Sequence, residues 1–156
     1  MRRADREVTD QNRIDEIIRR STCCRLGLCD GDEAYIVPMS FGYEHTSEGR
    51  SFYFHSAKEG RKIALMQRKN SVSFELDTDY QLLPGTTACS WTANFACIMG
   101  RGRITFLEEE AAKQRGLEAL MQQNAGNGEW TFTPKQLQAV CVFRLDVEEI
   151  TCKIHG

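Results

Sequence analysis

A short segment of the sequence concentrates residues that could bind a phosphate group. Ser56 and Glu59 have the spacing of a helix capping box, which predicts that a helix begins at Ser56 immediately after a strand. In that helix Lys58, Arg61 and Lys62 occupy positions i, i+3 and i+4, so three cations share one face near the positive end of the helix dipole. Like charges at this spacing repel by roughly 0.2–0.5 kcal/mol, whereas a bound anion would make the arrangement favourable. The segment therefore indicates a phosphate site; the alternative is a solvated basic helix face on which Glu59 relieves the repulsion.

His55 directly precedes this segment and is a candidate catalytic residue. A single histidine leaves three roles open: a hydrogen-bonded structural residue, a contact to a cofactor or substrate, or a metal ligand. His45 and His155 have no partner at metal-ligand spacing, so the sequence predicts no metal site. The chain also lacks the motifs of α/β-hydrolases, zinc metalloproteases, P-loops and dinucleotide-binding folds. The glycines within residues 100–102 indicate instead a bend in a strand.

The tryptophans and cysteines have structural interpretations. Trp91 and Trp130 could stack on a planar ligand, but Trp91 falls in a predicted strand, where a core position is expected. The seven cysteines include no C-x-x-C pair and no zinc spacing. We interpret them as buried, reduced thiols that pack as small apolar side chains, and we expect none of them to be catalytic.

Length and composition limit the class of protein. The chain has 156 residues with 20 Lys+Arg and 22 Asp+Glu, a formal net charge of −2. This length predicts a single domain over residues 1–156 that can build its core without disulfides or metals. A charge near zero argues against a nucleic-acid partner. No apolar run approaches the roughly 20 residues that span a bilayer, and the charged N-terminus lacks the apolar segment of a secretory signal. We therefore expect a cytoplasmic protein with no membrane partner.

Hydrophobic periodicity predicts a mainly β fold with peripheral helices. Helices are predicted over residues 9–20, with Thr9 as the cap, over 56–69 and 108–123, and in a short segment that begins at Thr133. Strands are predicted over residues 23–29, 34–43, 51–55, 71–77, 88–107 and 140–146, the last continuing over 149–154, with a turn at 44–50 and a loop at 78–87. Pro38 inside the second strand indicates an edge, a bulge or a bound ligand. Because the strands follow one another in hairpin-linked runs, a closed or half-closed barrel is the economical arrangement.

Several short segments carry a family resemblance that covers nearly the whole chain. In order, they are residues 24–28 (CRLGL), 35–43 (YIVPMSFGY), 52–57 (FYFHSA), 60–62 (GRK), 72–75 (VSFE), 89–91 (CSW), Gly100 and 144–151 (RLDVEEIT). With this order and spacing, the chain resembles the pyridoxamine-phosphate-oxidase-like superfamily of FMN-binding split barrels. Within that superfamily it is most similar to the nitroimidazole-resistance (Nim) family. The resemblance implies a homodimer of six-stranded split β-barrels with two FMN sites at the dimer interface.

The resemblance also implies which residues bind FMN. The backbone of one strand would border the isoalloxazine ring, at Val37, Pro38, Met39, Ser40 and Phe41. His55, Ser56 and Ala57 would continue this wall, with His55 beside the flavin and implicated in redox chemistry. Gly60, Arg61 and Lys62 would hold the phosphate. The partner chain would supply Ser73, Trp91 and Arg101.

One segment departs from the family pattern. After Cys-Ser-Trp, relatives tend to carry a basic–aromatic–basic stretch followed by Ser-Val, whereas this chain has Asn94, Phe95, Ala96, Cys97 and Ile98. Arg101, where relatives often have an aromatic residue, could replace one of the two missing charges.

The resemblance implies an FMN-dependent oxidoreductase that reduces small planar electrophiles such as nitroheterocycles. Two alternatives are a non-catalytic split barrel that binds flavin or haem as a carrier or sensor, and a pyridoxamine-phosphate-oxidase-like enzyme acting on a B6 vitamer.

Overall fold

The computed structural model describes residues 4–156, so the first three residues of the charged N-terminus lie outside it. Within this range the strands are β1 (Glu7–Val8), β2 (Cys24–Asp30), β3 (Glu33–Met39), β4 (Gly42–Thr46), β5 (Gly49–Ser56), β6 (Ser71–Leu83), β7 (Thr92–Leu107) and β8 (Cys141–His155). The α-helices are α1 (Gln11–Arg20), α2 (Arg61–Arg68), α3 (Glu110–Ala125) and α4 (Pro134–Ala139). None of the described helices is long and apolar enough to cross a bilayer.

The strands form one antiparallel sheet in the order β3-β2-β6-β7-β8-β5-β4, with β1 paired to β8. β3 and β4 are therefore the two edges of the sheet, although only Ser40 and Phe41 separate them in the chain. Such a short connection requires the sheet to curl until its edges nearly meet, which makes a half-closed barrel. The predicted mainly β split barrel is confirmed, and within residues 4–156 its sheet contains eight strands.

Apolar side chains from the long strands fill the barrel, with Phe52, Phe54 and Phe143 among those fully buried. α1 packs on this core through Ile14, Ile17 and Ile18, the stripe that its periodicity predicted. A second cluster, made of Leu117, Leu137 and Val142, packs α3 and α4 against β8.

α3 packs closely against the start of β4. A Cβ atom placed on Gly42 would lie closer than 3.0 Å to backbone atoms of Ala119 and Leu120. One turn beyond Leu120, the Asn124 side-chain amide donates a hydrogen bond of 2.9 Å to the carbonyl of Phe41. The break between β3 and β4 is thus held by α3.

The predicted capping box at Ser56 is wrong. Ser56 is the last residue of β5 and pairs with Cys141 of β8, because the antiparallel ladder extends further than the local pattern indicates. α2 begins at Arg61 after Gly60. Lys58 therefore lies outside the helix, and the three cations do not share one helical face.

Other predicted boundaries also differ. α1 is capped by Asp10, whose carboxylate accepts a hydrogen bond from the Arg13 amide, and not by Thr9. Residues 34–43 form two strands rather than one. The predicted turn at 44–50 holds most of β4 and the start of β5, and the predicted loop at 78–87 contains the end of β6. Pairing with β7 extends β6 to Leu83, past an irregularity in the register after Thr78.

Two further expectations are confirmed. The bend predicted at residues 100–102 is a register shift between Arg101 and Gly102 within the continuous strand β7. Thr133 and Gln136 form the capping box of α4, with Pro134 as its first residue.

The structural interpretations of tryptophan and cysteine hold only in part. Trp91 is 50% exposed and does not belong to the core. Cys24 and Cys152 are buried as expected, and burial raises the pKa of the Cys24 thiol well above its ordinary value. Cys29 and Cys89 are exposed, contrary to expectation.

Candidate functional site

The two edges of the sheet separate at a defined point. β4 pairs with β5 as far as Gly42 and Tyr53, where the ladder ends. Continued without a break, the same register would place Ser40 opposite His55. β5 instead continues without β4 beside it, and β3 runs as a free edge.

We call the resulting opening the split, with residues 37–41 on one side and residues 55–57 on the other. The two groups of residues that the sequence assigned to the wall of a ligand site therefore lie directly beyond the end of the β4–β5 ladder, one group on each strand run. On β3 the side chains of Val37 and Met39 are half-buried and pack on the core, whereas Pro38 is exposed, as is Ser40 just after the strand.

Pro38 occupies a position that suits an edge strand. Asp30 and Glu33 close a two-residue hairpin, and the closing pair of such a hairpin exchanges both of its backbone hydrogen bonds. By alternation, Pro38 is one of the residues whose backbone points away from β2, so its missing N–H removes no bond to that strand. The carbonyl and amide groups of Ile36 point the same way, toward the free edge. The edge interpretation of Pro38 is confirmed.

One end of the split lies at the first turn of α2. Gly60 precedes the helix with a φ of 133°, and no side chain caps it, so its first backbone N–H groups are available to an anion. Lys62 stands one turn before Met66, which is buried, so its stem lies on the barrel side of the helix. Its ammonium group has no hydrogen bond or ion pair within residues 4–156.

Ser56, five residues before α2 in the chain, carries an unsatisfied polar group. Its side-chain oxygen is buried and has no hydrogen-bond partner among the described residues. Buried hydroxyl groups are normally hydrogen-bonded, so this atom indicates a missing partner. An unbonded hydroxyl, a free ammonium group and an uncapped helix together fit a phosphate, which carries negative charge and several acceptor oxygens.

Arg61 is held away from this group of donors. Its guanidinium bonds to the Asp30 carboxylate at 2.9 Å and 2.8 Å and lies 4.5 Å from the centre of the Tyr35 ring. Arg68 donates to the other Asp30 oxygen at 2.9 Å. Hydrogen bonds from both arginines lower the pKa of Asp30, so the carboxylate is charged at neutral pH. The sequence predicted Arg61 as a phosphate ligand, but it did not indicate these partners, because they lie on a hairpin 31 residues earlier in the chain.

His55 is exposed on β5, between the buried residues Phe54 and Ser56. Within residues 4–156 no hydrogen bond or ion pair holds its imidazole. These residues therefore supply no partner for His55 as a hydrogen-bonded structural residue. In the same range no group of three His, Cys, Asp or Glu side chains could hold a metal ion. His55 therefore stands at the side of the split as a free imidazole.

The outer face of β2, β3, β6 and β7 carries a groove of about 470 Å³. Its lining includes the exposed apolar side chains of Ile36 (65% exposed) and Met99 (47% exposed), together with Gly27, Ser73 and Gly100. We call this surface the outer groove. The sequence analysis did not predict this groove. The available signal was strand alternation, which places Ile36 on the face opposite to the half-buried Tyr35 and Val37.

The three residues assigned to a partner chain do not lie together. Ser73 and Arg101 are paired across β6 and β7 on the face that carries the outer groove. The Arg101 guanidinium binds Glu149 at 2.6 Å, and this contact lowers the pKa of Glu149. Trp91 lies immediately before Thr92, the first residue of β7, which pairs with Leu83 at the end of β6.

Several solved structures share this fold, and some of them are flavin- or haem-binding proteins. A candidate 5-nitroimidazole antibiotic resistance protein from Bacteroides thetaiotaomicron superposes with a TM-score of 0.82 at 29% sequence identity, over 95% of this chain and 86% of that one. The flavocytochrome Anf3 from Azotobacter vinelandii gives a TM-score of 0.82 at 18% identity, over 100% of this chain and 72% of that one. An FAD- and haem-binding protein from Mycobacterium smegmatis gives 0.83 at 12% identity, over 97% of this chain and 74% of that one.

The sequence itself identifies the family. No curated protein matches the chain. The family model for pyridoxamine 5′-phosphate oxidase, however, matches residues 10–154, which include every strand from β2 to β7 and nearly all of β8. The chain therefore belongs to the pyridoxamine 5′-phosphate oxidase family.

Proposed function

We propose that the protein is a homodimeric FMN-binding oxidoreductase that reduces small planar electrophiles such as nitroheterocycles. The observation that carries this proposal is the split, a backbone-walled opening that is followed in the chain by the start of α2. Among the described residues no side chain caps this helix, and neither Lys62 nor the buried hydroxyl of Ser56 has a partner. A flavin mononucleotide has the matching shape, a flat ring system with a phosphate at one end. The relative from B. thetaiotaomicron, described as a candidate 5-nitroimidazole resistance protein, supports the substrate class.

The phosphate end would lie at α2. Lys62 would supply a charge-assisted hydrogen bond, and the backbone N–H groups after Gly60 would supply further donors along the helix dipole. Ser56 would find its missing partner here. Arg61 is bound to Asp30, so we assign the direct charge contact to Lys62 alone.

The ring end would lie between residues 37–41 and His55. Backbone groups at the free edge of β3 can hydrogen-bond a heterocycle in place of a neighbouring strand, and the exposed His55 imidazole can hold or deliver a proton at the side of the split. Bound FMN would supply the two-electron redox chemistry. The protein would bind and orient the substrate and restrict water, so it needs no nucleophile of its own.

A second copy of the chain would complete the site. The outer groove leaves Ile36 and Met99 exposed beside Ser73 and Arg101, and a partner subunit would cover these apolar side chains. Light scattering of the purified protein should therefore give a dimer. A monomer of 17.8 kDa that still binds FMN would contradict this part of the proposal.

The first experiment is an absorbance spectrum of the purified protein, followed by anaerobic mixing of the chemically reduced flavoprotein with a nitroimidazole. We expect flavin bands that bleach on reduction and return on mixing, with one nitro group reduced to nitroso for each pair of electrons consumed. A haem Soret band without flavin bands would favour the haem-binding alternative. Flavin that stays reduced in the presence of the nitroimidazole would favour the non-catalytic carrier.

The second experiment tests the phosphate assignment with Lys62→Ala. Loss of a hydrogen bond to a charged group costs about 1.5–3 kcal/mol, so FMN should bind roughly 10- to 150-fold more weakly. Riboflavin, which lacks the phosphate, should bind the variant as it binds wild type. Lys69→Ala is the matched control, because Lys69 is an exposed lysine at the other end of α2. Equal weakening of FMN and riboflavin would show that Lys62 does not contact the phosphate.

A further inference from the structure

A pocket of about 290 Å³ lies where β7 ends and β8 begins, and it is lined by residues other than those of the split. Its apolar walls come from two separate clusters. Ile63 of α2 and Phe106 of β7 pack with the core of the barrel. Leu107 and Val140 pack instead with the second cluster, which α3 and α4 form with β8. The pocket therefore opens at the seam between the two clusters, where each leaves part of its apolar surface uncovered.

Three charged side chains, Lys58, Glu108 and Lys113, line the same pocket. Lys113 is half-buried, and its ammonium group lies 3.5 Å from the carbonyl oxygen of Leu137. This distance is longer than that of an ordinary N–H···O hydrogen bond, which is about 2.7–3.2 Å. Within residues 4–156 neither Lys58 nor Glu108 has a hydrogen bond or an ion pair. A partly buried ammonium group with so long a contact would be stabilised by a carboxylate.

The Cys141 thiol shows that the three charges act at one point. Cys141 is the first residue of β8 and lines the pocket. Burial raises the pKa of its thiol, Lys113 and Lys58 oppose this rise, and Glu108 adds to it. Because burial is the largest effect, the thiol is uncharged at neutral pH and belongs to the apolar wall. Two positive charges and one negative charge leave the pocket with one net positive charge, which a single carboxylate would neutralise.

We infer that this pocket binds a small carboxylate with an apolar body, such as a single-ring aromatic acid, at a second site outside the split. The ammonium group of Lys113 would bind the carboxylate, with the exposed Lys58 on the solvent side, and the ring would cover the apolar surface at the seam. A volume of about 290 Å³ lies at the small end of ligand sites and suits one ring better than a fused ring system such as a flavin. Binding here requires no flavin, so the inference stands apart from the proposed function.

The test is isothermal titration calorimetry of the purified protein with benzoate, and with benzamide as a neutral probe of the same shape. We expect saturable binding of benzoate that is roughly tenfold or more tighter than that of benzamide, because benzamide cannot accept a charge-assisted hydrogen bond. Lys113→Met removes the charge but keeps a long apolar side chain, so benzoate should bind this variant only as tightly as benzamide does. Lys135→Met is the matched control, because Lys135 is an exposed lysine of α4 that does not line the pocket. This control should leave both affinities unchanged.

Lys58→Met is a second variant, in an exposed segment before α2 where the substitution does not disturb the core, and it should weaken benzoate by a smaller factor. Equal affinities for benzoate and benzamide, or equal weakening of benzoate by Lys113→Met and Lys135→Met, would overturn the inference. No saturable binding of benzoate at millimolar concentrations would also overturn it. Benzoate that displaces bound flavin would show that the pocket is part of the split and not a second site. A protein that binds benzoate as described but takes up no flavin would overturn the proposed function and support this inference.

Discussion

The carboxylate of Asp15 should be one of the most important polar groups for stability. Asp15 of α1 accepts hydrogen bonds from the Tyr43 hydroxyl at 2.7 Å and from Arg50 at 2.8 Å and 2.9 Å, and contacts the His45 ring nitrogen at 2.7 Å. The side chains of Asp15 and Arg50 are only 9% and 8% exposed. This cluster ties α1 to the hairpin of β4 and β5.

Replacing Asp15 with Asn removes the negative charge and keeps the size of the side chain. Removing one partner of a buried ion pair costs about 3–5 kcal/mol, because the remaining charge is left uncompensated. Gln11 still accepts two hydrogen bonds from Arg50, so we expect the lower end, about 3 kcal/mol. For a chain of this length that corresponds to a fall in Tm of roughly 6–12 °C.

The assay is urea unfolding followed by circular dichroism, with Glu149→Gln as the control. Glu149 forms an exposed pair with Arg101 that is shorter still, at 2.6 Å, and exposed pairs contribute about 0–1 kcal/mol. A loss in Asp15→Asn no larger than the loss in Glu149→Gln would refute the reasoning.

The pH dependence gives an independent check. Burial raises the pKa of Asp15, but hydrogen bonds from Tyr43, His45 and Arg50 outweigh burial and hold it below its ordinary value. A carboxylate with a lowered folded-state pKa contributes stability above its unfolded pKa of about 3.9 and loses that contribution as the pH falls through the folded value. The stability gap between wild type and Asp15→Asn should therefore be constant near neutral pH and shrink below about pH 4. A constant gap down to acid unfolding would contradict the assignment.

Two other variants and one labelling experiment test the packing. Gly42→Ala should lower the free energy of unfolding by about 1–3 kcal/mol or more, because the added carbon meets the α3 backbone. Gly27→Ala is the control, since there the added carbon lies at an ordinary 3.7 Å from Ser73. This second variant should be close to neutral in the same denaturation assay. Brief alkylation of the native protein should modify Cys29 and Cys89 and spare Cys24, whose thiol is buried with a raised pKa; mass spectrometry identifies the sites, and flavin binding should be unchanged after labelling.

Local patterns predicted which helices and strands form better than they predicted the residues at which these elements begin and end. The stripe of Ile14, Ile17 and Ile18 and the capping box of Thr133 depend on neighbours within one or two helical turns, and both are present. The capping signal at Ser56 was equally local but had to compete with Cys141, its partner in the ladder of β8. Capping rules consider only neighbouring residues, so they do not detect a strand partner 85 residues away in the sequence. Because β5 continues to Ser56, the helix begins only at Arg61.

The role of the candidate site residues stays a prediction, but their positions in the fold can be compared with the sequence. The sequence indicated the residues on both sides of the split and the basic residues after it, because these segments are short and contiguous. It did not show that Arg61 turns toward Asp30 while Lys62 has no partner among residues 4–156. That division depends on where the β2–β3 hairpin folds back beside α2, which is a tertiary contact.

The split itself depends on α3, an element that contributes none of the predicted site residues. Phe41 is buried, and its carbonyl accepts a hydrogen bond from Asn124 of α3. A Cβ on Gly42 would collide with the same helix, so glycine allows α3 to approach at the point where β3 turns into β4. Because α3 holds the chain at this corner, β3 and β4 cannot continue as one straight strand along β5, and the ladder ends at Gly42 and Tyr53. The free edge of β3 is therefore a consequence of how α3 packs against this corner.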